Sequence, residues 1–330
     1  MTQLRAFVTR RIPENGLDLL RKEVEVEVWP EPLQPPYGTL IEKARGIDAL
    51  LCLLTDKIDA NMMDEIGPQL KVISQMAVGF DNIDIAAATA RGVPVGNTPG
   101  VLTDTTADFT WALLMAASRR VAEGDRFTRA GKWRTWGPID FLGPDITGAT
   151  LGIIGFGRIG QAVARRAQGF GMRILYHDLR QHSEAGQKYG AQYVDLKTLL
   201  READFVSVHT ALSQETYHLM GEAQFKMMKR SAVLINTARG PIVDPKALYR
   251  ALSSGTIGCA ALDVTEPEPI QADDPLLTLE NAIITPHIAS ASFQTRGRMA
   301  EMAAANLIAG LKQERLPNCL NPEVYRDRPA

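Results

Sequence analysis

Short apolar, β-rich runs alternate along this chain with longer stretches whose apolar positions recur every three or four residues. The first run covers residues 5–9, and a helical pattern carrying Leu17, Leu19 and Leu20 follows it. Further strands are predicted at 24–29, 49–54, 72–75 and 93–97, with helices near 40–45 and 61–66 and a loop rich in proline (Pro30, Pro32, Pro35, Pro36). Such alternation predicts a parallel sheet with helices on its faces.

A Pro-Gly stretch at 98–100 reads as a joint. One long helix is predicted from 104 to 131, with Thr103, Thr105 and Thr106 as cap candidates and Asp104 and Asp108 suited to the positive end of its dipole. A loop holding Trp133, Trp136, Pro138 and Pro144 leads into a second alternation, with strands expected at 151–155, 173–177, 205–209, 232–236, 260–263 and 282–285. A last helix, at 293–311, carries Met299, Met302, Leu307 and Leu311 and is expected to return to the first domain. The predicted fold is therefore α/β with two doubly wound parallel sheets. A Rossmann dinucleotide-binding domain at 99–288 is inserted into a flavodoxin-like substrate domain made of 1–98 and 289–330.

Composition narrows the partners. The 330 residues balance 36 Lys+Arg against 38 Asp+Glu, which leaves no basic excess to neutralise phosphates, so no nucleic acid partner is expected. Cys52, Cys259 and Cys319 lie too far apart for a disulfide framework or a zinc cluster. The start, M-T-Q-L-R-A-F-V-T-R, lacks the apolar core of a signal peptide, and no apolar run reaches 18 residues. A cytoplasmic protein with no membrane partner is expected. Metal and nucleophilic catalysis have no motif behind them.

The most specific signal is L-G-I-I-G-F-G-R-I-G at 151–160, a G-x-G-x-x-G between an apolar strand and an amphipathic helix. Gly155 permits the tight turn, Gly157 lets a pyrophosphate approach the backbone, and Gly160 lets helix pack on strand. Phe156, Arg158 and Ile159 complete the loop, and the helix start offers free N–H groups to phosphates. Asp178, eighteen positions after Gly160, is placed to accept the ribose hydroxyls and to repel a 2′-phosphate, which favours NAD. Arg180, two residues on, leaves NADP possible.

Hydride transfer to a carbonyl needs a proton donor near neutral pH, and histidine suits it. Of five histidines, His287 (in T-P-H-I-A-S) and His209 (in S-V-H-T) end predicted strands, where open α/β sheets place ligands. His177 is expected to point away from Asp178, and His182 and His218 fall in polar surface stretches. Asp263, Glu266 and Glu268 follow another strand and offer a carboxylate to fix the His287 tautomer and favour its protonated ring. Arg239, in I-N-T-A-R-G, is able to clamp a carboxylate with two hydrogen bonds.

These motifs, with A-V-G-F-D-N-I-D at 77–84, N-T-P-G-V-L-T-D-T-T-A-D at 97–108 and A-L-D-V-T-E-P-E-P at 261–269, resemble the D-isomer-specific 2-hydroxyacid dehydrogenases over nearly the whole chain. The chain is most similar to the branch that reduces glyoxylate and hydroxypyruvate, as I-P-E-N-G at 12–16 and L-T-D-K-I-D at 54–59 suggest. The resemblance implies NAD(P)H-dependent reduction of a small 2-oxo acid, with Arg239 binding substrate, Glu268 partnering the histidine and His287 donating the proton. It implies that Val78 and Gly79 receive the substrate carboxylate through backbone N–H groups. Thr105, Thr237, Ala238 and Asp263 are implied beside the cofactor, and His209, Thr210 and Ser290 are included among its contacts. A homodimer joined through about 100–150 is also implied. Val78 stands where phosphite-oxidising relatives have lysine, which argues against phosphite. D-lactate, D-glycerate, 2-ketogluconate or formate dehydrogenases, and an NADH-sensing module without catalysis, are the alternatives.

Overall fold

Each predicted apolar run holds a strand in a computed structural model of the chain, in which residues 3–326 are described. The first stretch contains β1 (Arg5–Val8), α1 (Glu14–Arg21), β2 (Glu25–Val28), α2 (Tyr37–Ala44), β3 (Ala49–Cys52), α3 (Ala60–Ile66), β4 (Val72–Gln75), α4 (Ile85–Ala90) and β5 (Val95–Gly96). Next come α5 (Thr103–Ser118), α6 (Val121–Arg129), β6 (Thr150–Ile154), α7 (Arg158–Ala167), β7 (Arg173–His177), α8 (Ser183–Tyr189) and β8 (Ala191–Tyr193). They are followed by α9 (Leu196–Glu202), β9 (Phe205–Val208), α10 (Glu222–Phe225), β10 (Val233–Asn236), α11 (Pro245–Ser253), β11 (Cys259–Leu262), β12 (Ala282–Ile284) and α12 (Phe293–Leu311). The chain forms two compact units, one of residues up to Leu102 and from Ala291 onward, the other Thr103–Ser290. The expected joints at 98/99 and 288/289 thus fall at 102/103 and 290/291. The second unit starts with the first turn of α5 and ends beyond the loop after β12.

In the first unit five parallel strands run in the order β2-β1-β3-β4-β5. Every residue of β3 and β4 is buried, as expected of parallel strands covered on both faces, whereas the edge strand β2 alternates exposed glutamates with half-buried valines. Aspartates open α3 and α4, Asp59 accepting from the Met62 N–H at 2.9 Å and Asp84 from the Ala87 N–H at 2.8 Å. Two buried amides tie the C-terminal part of the unit to the sheet. Asn306 donates to the Asn97 carbonyl at 2.9 Å and accepts from the Asn318 N–H at 3.0 Å. Asn321 accepts from the Val95 N–H at 2.8 Å and donates to the Val93 carbonyl at 2.9 Å.

The second unit is a seven-stranded parallel sheet, β12-β11-β10-β9-β6-β7-β8. The chain builds outward from β6 to β8 and then crosses to β9 on the other side of β6. The order reverses there, and ligands bind at the carboxyl ends of strands at such a reversal. Two local expectations need correction. The strand β8 was not expected; it is only three residues long, two of them exposed. The single helix expected over 104–131 is two, because Arg120 adopts a left-handed conformation (φ 51°), its guanidinium held on Glu123 at 2.6 and 2.7 Å. Asp104 and Asp108 do more than face a helix dipole, since they bind Arg165 and Arg166 of α7. Trp111 fastens α5 further, donating to the Val163 carbonyl at 3.2 Å and stacking on Phe170.

Gly310 tests how closely α12 must approach its sheet. A Cβ there would meet the Val72 side chain at 2.4 Å, at a branched carbon that cannot swing away. Alanine would gain about 1 kcal/mol of helix propensity, but overpacking costs about 1–3 kcal/mol. Gly310→Ala is expected to lower the urea midpoint; an unchanged or raised midpoint would show that α12 moves outward without cost.

Candidate active site

The glycine-rich turn lies where the sheet order reverses. Gly155 follows β6 with φ 91°, and a Cβ on it would meet the Thr210 nitrogen at 2.5 Å, so glycine is required by both conformation and the neighbouring strand end. A Cβ on Gly160 would meet the Gly155 carbonyl oxygen at 2.2 Å, which sets the close approach of α7 to β6. Gly157 differs: nothing lies within 4 Å of its added Cβ. Open space there, above a helix N-terminus with no side-chain cap, suits the close approach of a pyrophosphate.

Asp178 sits just past β7 and braces this turn. Its carboxylate accepts from the Phe156 N–H at 2.6 Å and from the Leu179 N–H at 2.7 Å, and the His182 Nε2 lies 3.3 Å away. A carboxylate has about four acceptor positions, so room remains for ribose hydroxyls. Arg158 and Arg180 are exposed, and Ile159 is half-buried. Phe156, expected as a cofactor contact, is fully buried and stacks on Tyr176 with ring centres 4.0 Å apart. Its N–H is given to Asp178 and its carbonyl to Gln161, so it supports the loop from beneath.

Three further loops leave the adjacent strands β10, β11 and β12. After β10, the buried Asn236 amide locks the turn, accepting from the Ala238 N–H at 3.0 Å and donating to the Arg239 carbonyl at 2.8 Å. The Thr237 hydroxyl lies 2.9 Å from that of Thr110 on α5. A Cβ on Gly240 would meet the Thr265 carbonyl oxygen at 1.9 Å. The Arg239 turn therefore packs directly on the β11 loop, three residues before Glu268.

After β12, His287 takes a left-handed conformation (φ 54°). Its Nδ1 lies 2.6 Å from the Glu268 Oε1, and both side chains are partly exposed, at 24% and 32%. The second Glu268 oxygen accepts from the Thr265 N–H at 3.3 Å. Asp263, expected beside the cofactor, is 1% exposed and holds the histidine loop. It accepts from the Thr285 hydroxyl at 2.6 Å, the Ile288 N–H at 2.9 Å and the Ala289 N–H at 2.7 Å, next to Ser290. Arg239, Glu268 and His287 thus stand on loops that leave one end of one sheet, Glu268 and His287 in contact and the Arg239 guanidinium donating to the Ala238 carbonyl at 2.8 Å.

The other candidates separate clearly. His209, at the end of β9, has its Nε2 2.7 Å from the Ser207 hydroxyl, and burial pushes its pKa down to about 3. It is a neutral ring at physiological pH, unsuited to donating a proton. The His177 Nδ1 contacts the Val194 carbonyl at 3.1 Å, away from Asp178. His218, expected in a bland surface stretch, instead meets Glu266 at 2.6 Å from a left-handed backbone, and no pattern in the sequence announces it. Burial raises the pKa of all three thiols, Cys259 to about 11, so none presents a thiolate. In the first unit, Val78 and Gly79 follow β4, and their carbonyls accept from the Asn97 amide at 2.9 Å and the Gln75 amide at 2.8 Å, which fixes both peptide planes. Among the described residues, no helix is long and apolar enough to cross a membrane, and no group of three or more His, Cys, Asp or Glu is placed to hold a metal.

Residues 111–289 match the family model for the D-isomer specific 2-hydroxyacid dehydrogenase, NAD binding domain. A glyoxylate reductase of Korarchaeum cryptofilum is 55% identical over 326 residues, 98% of each chain. A protein of Thermus thermophilus of known structure superposes with a TM-score of 0.91 at 47% identity, over 96% of this chain and all of that one. An NADPH-dependent glyoxylate/hydroxypyruvate reductase from Sinorhizobium meliloti, solved with NADP and malonate, gives 0.87 at 30% identity, over the whole of both chains.

The Asp263 contacts generate a stability prediction. Asp263→Ala removes one acceptor and strands two backbone N–H groups and a hydroxyl, each unsatisfied buried group costing about 1–3 kcal/mol. Urea denaturation is expected to show a loss of at least about 2 kcal/mol. A loss below about 0.5 kcal/mol, the size of an ordinary surface change, would mean the loop holds itself without Asp263.

Proposed function

The chain belongs to the D-isomer-specific 2-hydroxyacid dehydrogenase family, and from that premise we propose that it reduces a small 2-oxo acid, glyoxylate or hydroxypyruvate first, to the 2-hydroxy acid with NADH. The observation that carries this reading is the partly exposed His287–Glu268 pair, 2.6 Å apart, on the same sheet end as the open glycine turn. When bound, the dinucleotide supplies a hydride to the carbonyl carbon. His287 delivers a proton from Nε2 to the carbonyl oxygen, because its Nδ1 is engaged by Glu268. Glu268 fixes the ring and supports the positive charge it carries before transfer. Arg239 is proposed to clamp the substrate carboxylate with two hydrogen bonds, and Val78 and Gly79 are proposed substrate contacts through their backbone N–H groups.

The cradle residues Gly155, Gly157, Arg158, Ile159 and Gly160, with Thr105, Thr210, Thr237, Ala238 and Ser290, are proposed cofactor contacts. Asp178 favours NADH, and exposed Arg180 leaves a route to NADPH, which the Sinorhizobium meliloti relative uses. A homodimer through about 100–150 is supported by the exposed apolar side chains of Trp133, Trp136, Ile139 and Leu142 in that segment. The free thiols Cys52, Cys259 and Cys319 suit a reducing, cytoplasmic setting.

Two predictions follow from these roles. The wild-type chain is expected to oxidise NADH when glyoxylate or hydroxypyruvate is added, and His287→Ala to lower kcat by about 10²–10⁴-fold. Absence of turnover across a panel of 2-oxo acids with either coenzyme would overturn the function, and near wild-type kcat in the variant would remove His287 from proton delivery. Asp178→Ala is expected to raise kcat/KM for NADPH relative to NADH. An unchanged ratio would show that the carboxylate only braces Phe156.

A further inference from the structure

The loop after β11 carries two glutamates, and each meets a histidine in a left-handed conformation. Glu268 meets His287 (φ 54°), and Glu266 meets His218 (φ 51°), both at 2.6 Å. Only the first pair has a role in the chemistry proposed above. Backbone strain of this kind in a non-glycine residue persists only where surrounding contacts impose it.

The contacts around His218 are specific. Its N–H donates to the Pro241 carbonyl at 2.8 Å, and two residues on, the Met220 N–H donates to the Ile242 carbonyl at 3.0 Å and the Met220 carbonyl accepts from the Asp244 N–H at 3.1 Å. These bonds clamp the segment that directly follows Arg239 and Gly240. The His218 Nε2 meanwhile reaches Glu266 Oε2, and the Tyr217 hydroxyl donates to Glu266 Oε1 at 3.1 Å, with the two rings stacked at 4.0 Å. Glu266 and, at longer range, Asp244 are the charged groups that raise the Tyr217 pKa, so the phenol stays a donor. His218 therefore joins, by its backbone, the turn bearing Arg239 and, by its ring, the loop bearing Glu268.

We propose that His218 is a positioning residue: through Glu266 it fixes the loop that aims Glu268 at His287. The proposal rests on the reading of Glu268 and His287 as the proton-delivering pair. Glu268 has one backbone donor of its own, at 3.3 Å, which is a weak hold on a partly exposed side chain. Losing the His218 link frees the loop two residues away, and small misplacements of a catalytic group are costly.

The test compares His218→Ala, His218→Gln and Glu266→Ala. His218→Ala is expected to lower kcat about tenfold while KM for glyoxylate and the affinity for NADH stay within about twofold, a split that general loosening of the fold would not give. His218→Gln, which keeps a side-chain N–H donor, is expected to recover most of kcat. In a Glu268→Gln background, His218→Ala is expected to cost little more, since its route is already cut. Proton NMR supplies a readout independent of turnover. The downfield imidazole N–H resonance of the His287–Glu268 bond, assigned by its loss in His287→Ala, is expected to vanish in His218→Ala and return in His218→Gln. Should His218→Ala not fold, Glu266→Ala cuts the same link and is expected to give the same readings. An unchanged resonance with kcat within twofold of wild type, or a full tenfold loss in the Glu268→Gln background, overturns the proposal. If wild type reduces no 2-oxo acid, the functional reading fails, and the resonance still decides whether His218 orders the pair.

Discussion

The buried carboxylate of Asp263 is the interaction on which the rest of the site depends. A left-handed backbone at a non-glycine residue costs roughly 1–2 kcal/mol, and His287 adopts it in a loop with no helix or strand to impose it. The three donors that converge on Asp263 all come from that loop, on either side of the histidine. Hydrogen bonds to a charged acceptor contribute about 1.5–3 kcal/mol each, so together they outweigh the strain. Asp263 belongs to the β11 loop, as does Glu268. One short segment therefore both holds the histidine loop from beneath and presents a carboxylate to its ring.

The sheet supplies the wider constraint. Parallel strands send all their carboxyl ends to one side, so loops after β6, β7, β9, β10, β11 and β12 share a face without any long excursion of the chain. The requirement for glycine at 155, 160 and 240 comes from that crowding, since in each case a Cβ would strike the backbone of a neighbouring loop or strand end. Gly157 is the exception that identifies where the crowding stops. Its open surroundings, beside an uncapped helix start and a braced Asp178, mark the space reserved for a ligand.

How much of this could be read in advance depends on the range of the interaction involved. Local periodicity located the strand runs of both sheets, because burial on both faces leaves apolar runs that stand out against polar helices. The glycine turn and the acid after β7 were legible because their spacing is set by one β-turn-α unit. Arg239 and His287 were legible as residues at strand ends, Glu268 was singled out from Asp263 and Glu266 only by the family resemblance, and the fold class followed from the alternation. What escaped was decided by single backbone conformations or by distant partners. The break at Arg120 depends on one left-handed residue and a Glu123 clasp, β8 is too short and exposed to carry a pattern, and Phe156 packs into a core cluster that includes Tyr176. His218 read as polar surface, because its partner lies 48 residues away and its own backbone conformation is left-handed.

The histidines show how surroundings, rather than residue type, divide the work. His209 and His287 both follow strands on the same face of the sheet. His209 has a hydroxyl for a neighbour and loses its charge to burial, with its pKa near 3. His287 instead has a carboxylate oxygen 2.6 Å from its Nδ1. The proposed role of proton donor calls for such a partner, because the loaded state of a donating imidazole is a cation. With the carboxylate on Nδ1, Nε2 is the ring nitrogen left for the proposed proton transfer. The sheet end thus contains one imidazole that burial keeps neutral and one paired with a carboxylate, and that pairing rests on a single glutamate delivered by the neighbouring loop.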